Sequence, residues 1–329
     1  MESMLIDPLI VVRDLHLAST IAVAGVIFFD LFIAAPLRRT GSPSTKAGAA
    51  LESSGGKILW IGLALSIVSA LAWLCLVSMR IVHKDFSDVL TDGTAWLVLT
   101  QTQFGLAWQM RLLLGVGLAA CLLMQRATGN RVASVLAILA SLLAAAYLGS
   151  LAFAGHGAKG LGLEHNIHLA ADFLHLIAVG LWLGALAPLL LLLVYLCRFQ
   201  EDGWASAAAR AAGSFSMLGI FAVGILLVSG LVNAAFLLGG MRSLINTPYG
   251  RLLLLKVVLF AAMVGLAGIN RQYLLPRLSS DLHADGSSVA LRWLVRSALV
   301  EIALGLAIVC IVGVLGIMPP AADMAAHMH

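Results

Sequence analysis

The sequence predicts an all-α, polytopic membrane bundle of about eight transmembrane helices, with both termini outside. Two observations carry this. Of 329 residues, 61% are hydrophobic and only 11% charged, with a mean hydropathy of +1.02. Apolar stretches of roughly 20 residues also recur along the chain, the length that crosses a bilayer core at about 1.5 Å per residue. Backbone polar groups in lipid must be paired within their own segment, so these stretches are helices.

The first stretch, 9–34, follows the acidic start MESMLIDPLIVVRDLHLAS, which has neither a basic n-region nor a small-residue cleavage site. It reads as a retained span, not a cleaved signal peptide. Stretches 58–79, 106–124 and 132–154 complete a first half, residues 1–154. Stretches 169–196, 214–238, 251–270 and 296–317 make a second half, residues 155–329. The polar segments between them are too short for a separate soluble domain, so 1–329 is one integral-membrane domain. The intervening segment 80–105 is too polar to cross and too apolar for a plain loop; its second half is expected to lie along the interface or fold back, with Trp96 and Trp108 at headgroup level. No internal repeat stands out.

Loops after the odd-numbered spans carry 12 of the 20 Lys and Arg residues, which places those loops inside. The formal charge of +4 reflects this bias. There is no basic patch with interleaved aromatics, so the partner is the lipid bilayer and not nucleic acid. Cys75, Cys121, Cys197 and Cys310 lie far apart in apolar stretches and form no CxxC pair, which reads as packing. The P-loop, GxGxxG and Ser/His/Asp patterns are missing, so the chain is not expected to be an enzyme. Arg111, Lys256 and Glu301 are expected to be structural, with Glu301 in the inner third of the last span.

Chemistry concentrates where the fifth span begins. His165, His168, Asp172 and His175 fall at spacings of three, four and three, within about 80° of helix circumference. Ionisable groups in a span are costly and face a partner, a cavity or an ion. Eight of the nine histidines lie outside or in an outer half-span, including His16 and His156; only His283 is inside. Imidazole suits copper, zinc, iron and nickel, and thioether selects Cu+, so a surface rich in His with Met in the tail points to a copper ion, Cu+ or Cu2+, or to zinc without the Met. The candidate ligands are His16, His156, His165, His168, Asp172 and His175, with Met324, His327, Met328 and His329 of the tail as weaker candidates. In this scheme Asp172 either ligates or orients an imidazole. A different reading uses His16 and His175 as axial ligands of a haem, in a membrane oxidoreductase or cupric reductase.

The stretch GHGAKGLGLEHNIHLAADFLHLIAVGLWLGALAPL resembles the copper-resistance protein D family, which carries H-x3-D-x2-H and W-x-G-x-L at His168, Asp172, His175, Trp182 and Gly184. Its SG-x2-NA and YG-x2-L-x2-K patterns are followed through Ser229, Gly230, Asn233, Tyr249, Gly250 and Lys256, and then Asn270 and Arg271. TQFGLAWQMRLLL looks like the family's third span. The resemblance implies an eight-span protein of the bacterial inner (cytoplasmic) membrane. It implies copper homeostasis and resistance, with copper taken from a periplasmic copper-binding protein on the periplasmic side and moved inward. A non-transporting metal-loading or docking subunit is the other outcome it allows.

Overall fold

A computed structural model describes residues 7–39, 45–154, 162–280 and 284–322. Among them the fold is helical, and eight helices are long and apolar enough to cross a membrane. They run Pro8–Arg39, Lys46–Val82, Gln103–Ala127, Arg131–Ala154, Leu163–Phe199, Trp204–Leu238, Pro248–Leu278 and Ser288–Leu315. All eight expected spans are present, and most extend past the apolar stretch by a polar turn or more.

Caps explain several boundaries. Asp7 accepts from the Leu9 amide at 2.9 Å, with Pro8 in the first turn, where its missing N–H is no loss. Thr102 and Thr247 cap the third and seventh spans by accepting from the amides of Gly105 and Gly250. Each glycine lies against the backbone of the short helix that precedes it, where a Cβ would overlap Leu99 or Ser243.

The first and fifth spans form the centre. Gly25 and Gly184 meet backbone to backbone: a Cβ on Gly184 would come within 2.5 Å of the Ile21 carbonyl oxygen, and one on Gly25 would overlap Gly184 itself. Small residues of this kind let membrane helices approach closely when no hydrophobic force drives them together. Each central helix anchors one core. Around the first span are Phe28, Trp73, Trp108, Leu118 and Leu148. Around the fifth are Trp182, Leu186, Leu193, Phe215 and Leu291. A π-helical turn interrupts the first, fifth and seventh spans, at Asp30–Ala34, Gly180–Gly184 and Asn270–Leu274. Such turns often mark functional positions.

Segment 80–105 forms two short helices, Phe86–Thr91 and Thr94–Gln101. Lys84 pairs with Asp92 at the turn between them, and its hydrogen bond, with that from Thr94, pulls the Asp92 carboxyl down to about 2. Trp96 is exposed as expected, but Trp108 is fully buried. Its indole N–H donates to the Ala70 carbonyl at 2.8 Å, and its ring stacks on Phe104. Sequence amphipathicity suggested headgroup level; a buried carbonyl one helix away supplies the partner that an indole needs inside. The four cysteines are unpaired.

Candidate functional site

In the fifth span, Ser229 on the neighbouring sixth span fixes His175. The serine hydroxyl donates to the Ile225 carbonyl at 2.6 Å, so at 2.9 Å from His175 Nδ1 it accepts. Nδ1 therefore carries the proton, and Nε2 presents its lone pair. One turn away, Asp172 Oδ1 accepts from Asn233 Nδ2 at 2.6 Å. Asp172 Oδ2 stands 3.9 Å from His168 Nε2, a nitrogen with no hydrogen-bond partner although His168 is buried. The His168 ring stacks on Phe236, centroids 5.0 Å apart. Lys256 of the seventh span is within electrostatic reach of both Asp172 and His175. His165, half-buried above them, leaves its Nδ1 unpartnered. His168, Asp172 and His175 therefore share one face, which meets Phe236, Asn233 and Ser229 of the sixth span.

His16 is elsewhere. It is fully buried, with Nδ1 on the Ser66 carbonyl at 2.9 Å and the Ser69 hydroxyl at 3.0 Å. Arg111 Nη2 donates to Nε2 at 2.6 Å, so both ring nitrogens are engaged within the protein. The same guanidinium bonds Tyr147 O at 2.9 Å and Ser150 Oγ at 2.7 Å, and faces the Tyr147 ring at 4.9 Å. A buried cation is thus solvated by neutral acceptors and π-faces, each hydrogen bond worth about 1.5–3 kcal/mol. The expected grouping of His16 with the stripe, and the His16–His175 axial pair, are not formed. Arg111 occupies the nitrogen that either would need. His156, Met324, His327, Met328 and His329 lie outside the described residues. Among the described residues no three His, Cys, Asp or Glu side chains stand together closely enough to surround a metal ion.

The two histidines are nevertheless counterparts. His16 lies nine residues before Gly25, and His175 nine before Gly184, the two glycines that touch. His16 meets Ser69 in I-V-S-A-L, and His175 meets Ser229 in L-V-S-G-L. Ser69, like Ser229, donates to the carbonyl four residues back at 2.6 Å. Arg111 and Lys256 occupy the same place in T-x-F-G-x5-R and T-x-Y-G-x5-K. The helices pack alike too: the first span on the second and fourth as the fifth on the sixth and eighth, and the third on the fourth as the seventh on the eighth. The two four-span halves are thus a repeat, which the sequence reading missed. At corresponding positions Asp172–Asn233 is matched by Arg13–Trp73, a cation–π contact at 4.8 Å, and His168 by Leu9. At these matched positions the imidazole and the carboxylate stand in the second half.

Residues 4–166 match the family described as Copper resistance protein D-like, N-terminal domain, and residues 209–315 match Copper resistance protein D. The chain is 32% identical over 262 residues to Copper resistance protein D of Pseudomonas syringae pv. tomato, covering 79% of this chain and 81% of that one. It is 31% identical to Inner membrane protein YebZ of Escherichia coli (strain K12), covering 78% and 81% respectively. Copper transport protein CutJ of Bacillus subtilis (strain 168) is 39% identical over 119 residues, 36% of this chain and 21% of that protein. No solved structure matches. With both halves matched and relatives aligned over four-fifths of their length, the chain belongs to the copper resistance protein D family.

Proposed function

We propose that the protein is a multi-pass inner-membrane copper carrier that binds the ion at His168, Asp172 and His175 and passes it inward. Its relatives' names point to copper and to the inner membrane. The observation that carries the site is the pair of available imidazole nitrogens on one face of one helix: Nε2 of His175, left as a lone pair by the bond to Ser229, and the buried, unpartnered Nε2 of His168. Two imidazoles with a carboxylate are a donor set suited to copper. Copper is cargo here, so an open shell has a purpose: His168, Asp172 and His175 do not close around one point in this conformation, and their closure, with a donor of the delivering periplasmic copper-binding protein or His165, completes the shell during transfer. Lys256 matters in the same way. Its ammonium near Asp172 lowers the net negative charge of the site, which keeps binding weak enough for release.

The test is copper uptake into proteoliposomes, wild type against His168→Ala, with binding to His175→Ala measured alongside. Loss of most uptake and most binding is expected. Unchanged binding by His175→Ala places the site elsewhere. Binding without uptake favours a metal-loading subunit.

A further inference from the structure

Away from the histidine stripe, the second half holds a buried carboxylate that copper capture does not use. Glu301 lies midway along the last span and is 2% exposed. Its Oε1 accepts from Asn270 Nδ2 at 2.7 Å, while Oε2 has no hydrogen-bond partner. Ser297, one turn earlier on the same face, is also buried with its hydroxyl unpartnered. Glu301 forms no ion pair among the described residues. It lines a cavity of about 230 Å³ between the last four spans, whose wall includes Trp182, Gly219, Asn270 and Arg271.

An ionised carboxylate in that position is expensive, because nothing of opposite charge touches it and lipid surrounds the bundle. One proton removes the charge. Ser297 could donate to an ionised Oε2, but that leaves a bare negative charge in the bundle; an Oε2–H group donating to Ser297 Oγ pairs both atoms and leaves none, and a neutral acid's carbonyl oxygen still accepts from Asn270 Nδ2. The chemistry is all oxygen, so a soft metal such as Cu+ gains little here. Arg271 is the charged group on the cavity wall, and it is held away by Ser216 Oγ at 2.8 Å and the Met217 sulfur at 3.7 Å. The other walls, Trp182 and Leu186 of the fifth span, Phe215 and Gly219 of the sixth and Leu294 of the eighth, offer no titratable side chain. Asn270 and Arg271 begin the π-helical turn of the seventh span, where the backbone ladder is already irregular and can shift.

We propose that Glu301 is a proton-binding site, neutral in this conformation, which exchanges its proton with water entering the cavity. In that exchange the Oε2–H bond breaks, water takes the proton as hydronium, and the carboxylate left behind gains Arg271 as counter-charge across the cavity. This gives a carrier without nucleotide motifs a second ion to move against its cargo, and the site stands whether or not copper binds at the histidines.

The test is infrared spectroscopy of the purified full-length protein over a pH titration, with Glu301→Gln and Glu301→Asp. At neutral pH the wild type should show a protonated-carboxyl C=O band that Glu301→Gln lacks, and the band should convert to carboxylate absorption at alkaline pH. Glu301→Asp should keep a titrating band at a shifted pH. Glu301→Gln, a neutral isostere of the acid, should fold with a melting temperature close to that of the wild type at neutral pH. A carboxylate signal for Glu301 at neutral pH, or spectra that do not differ between wild type and Glu301→Gln, overturns the proposal. Because no arm contains copper, failure of the copper reading leaves this result intact.

Discussion

Replacing Ser229 by Ala separates the two histidine sites more cleanly than replacing a histidine. In the second half, Ser229 is the acceptor that holds the proton of His175 on Nδ1 and aims Nε2 into the site, at 2.9 Å. Loss of such an outer partner of a metal-ligating imidazole typically weakens metal affinity 10–100-fold. At about 1.4 kcal/mol per decade this is ~1.4–2.8 kcal/mol. The counterpart Ser69→Ala is the internal control. His16 Nδ1 keeps the Ser66 carbonyl at 2.9 Å when Ser69 goes, and Arg111 still holds Nε2. The expected cost is about 0.5 kcal/mol of stability, the low end for one hydrogen bond, with copper affinity unchanged. The assay is copper titration of purified protein against a chromophoric chelator, paired with thermal unfolding. Equal affinities for Ser229→Ala and wild type would refute the role given to His175. A loss of affinity in Ser69→Ala matching that in Ser229→Ala would refute the assignment of copper to one half.

Two more predictions concern the frame and the tail. Gly25→Ala places a methyl group on the Gly184 backbone, and a backbone cannot swing aside as a side chain can. The cost should therefore reach or exceed the upper end of the 1–3 kcal/mol usual for overpacking, read as a lowered melting temperature in detergent. A melting temperature equal to wild type would mean that the central helices do not meet at these glycines. Truncation after Ala322 spares Ala321, which is fully buried near Leu238 and Leu315, and should leave copper affinity within about twofold. A loss of tenfold or more would assign the tail's His and Met residues to the site.

The spans were legible because lipid imposes one length and one backbone solution, so hydropathy alone sets them. The stripe was legible because its residues share one helix, and helical spacing fixes their common face. Relations between helices were not. His16 lay at a depth that matched His175, but depth does not say which neighbour takes a ring nitrogen, and Arg111 stands 95 positions away in sequence. Trp108 was misplaced for the same reason: an interfacial and a buried tryptophan look alike until the carbonyl at Ala70 is known to lie beside it. The start of the last span was placed too late because the apolar run begins at 296; the helix begins earlier, at Ser288, through polar turns that hydropathy does not count, so Glu301 lies midway along the helix.

The repeat was hidden by the feature that makes it informative. Apart from the histidine, its preserved positions are small or generic, namely a serine, two glycines, a capping threonine and a basic residue, and they are spread over three helices in each half. The positions that would have announced it are those that diverged. Around His16 the first half carries Leu9, Arg13 and Arg111; around His175 the second carries His168, Asp172 and Lys256. A guanidinium bonded to the imidazole nitrogen leaves no lone pair for an ion, and a second arginine nearby repels any cation that approaches. A lysine, shorter and without Arg's planar fork, leaves the equivalent nitrogen of His175 free, and an aspartate in place of Arg13 reverses the local charge. On the proposed assignment the same four-helix frame is closed to cations in one copy and open in the other. This explains why a chain with two equivalent histidines at equal depth need offer only one site. It also makes the exchange informative: Arg111→Lys should free the His16 ring nitrogen yet gain no copper affinity, because Arg13 and Leu9 still stand where Asp172 and His168 stand in the other half. Tight copper binding by that variant would show that the basic residue alone decides which half is open.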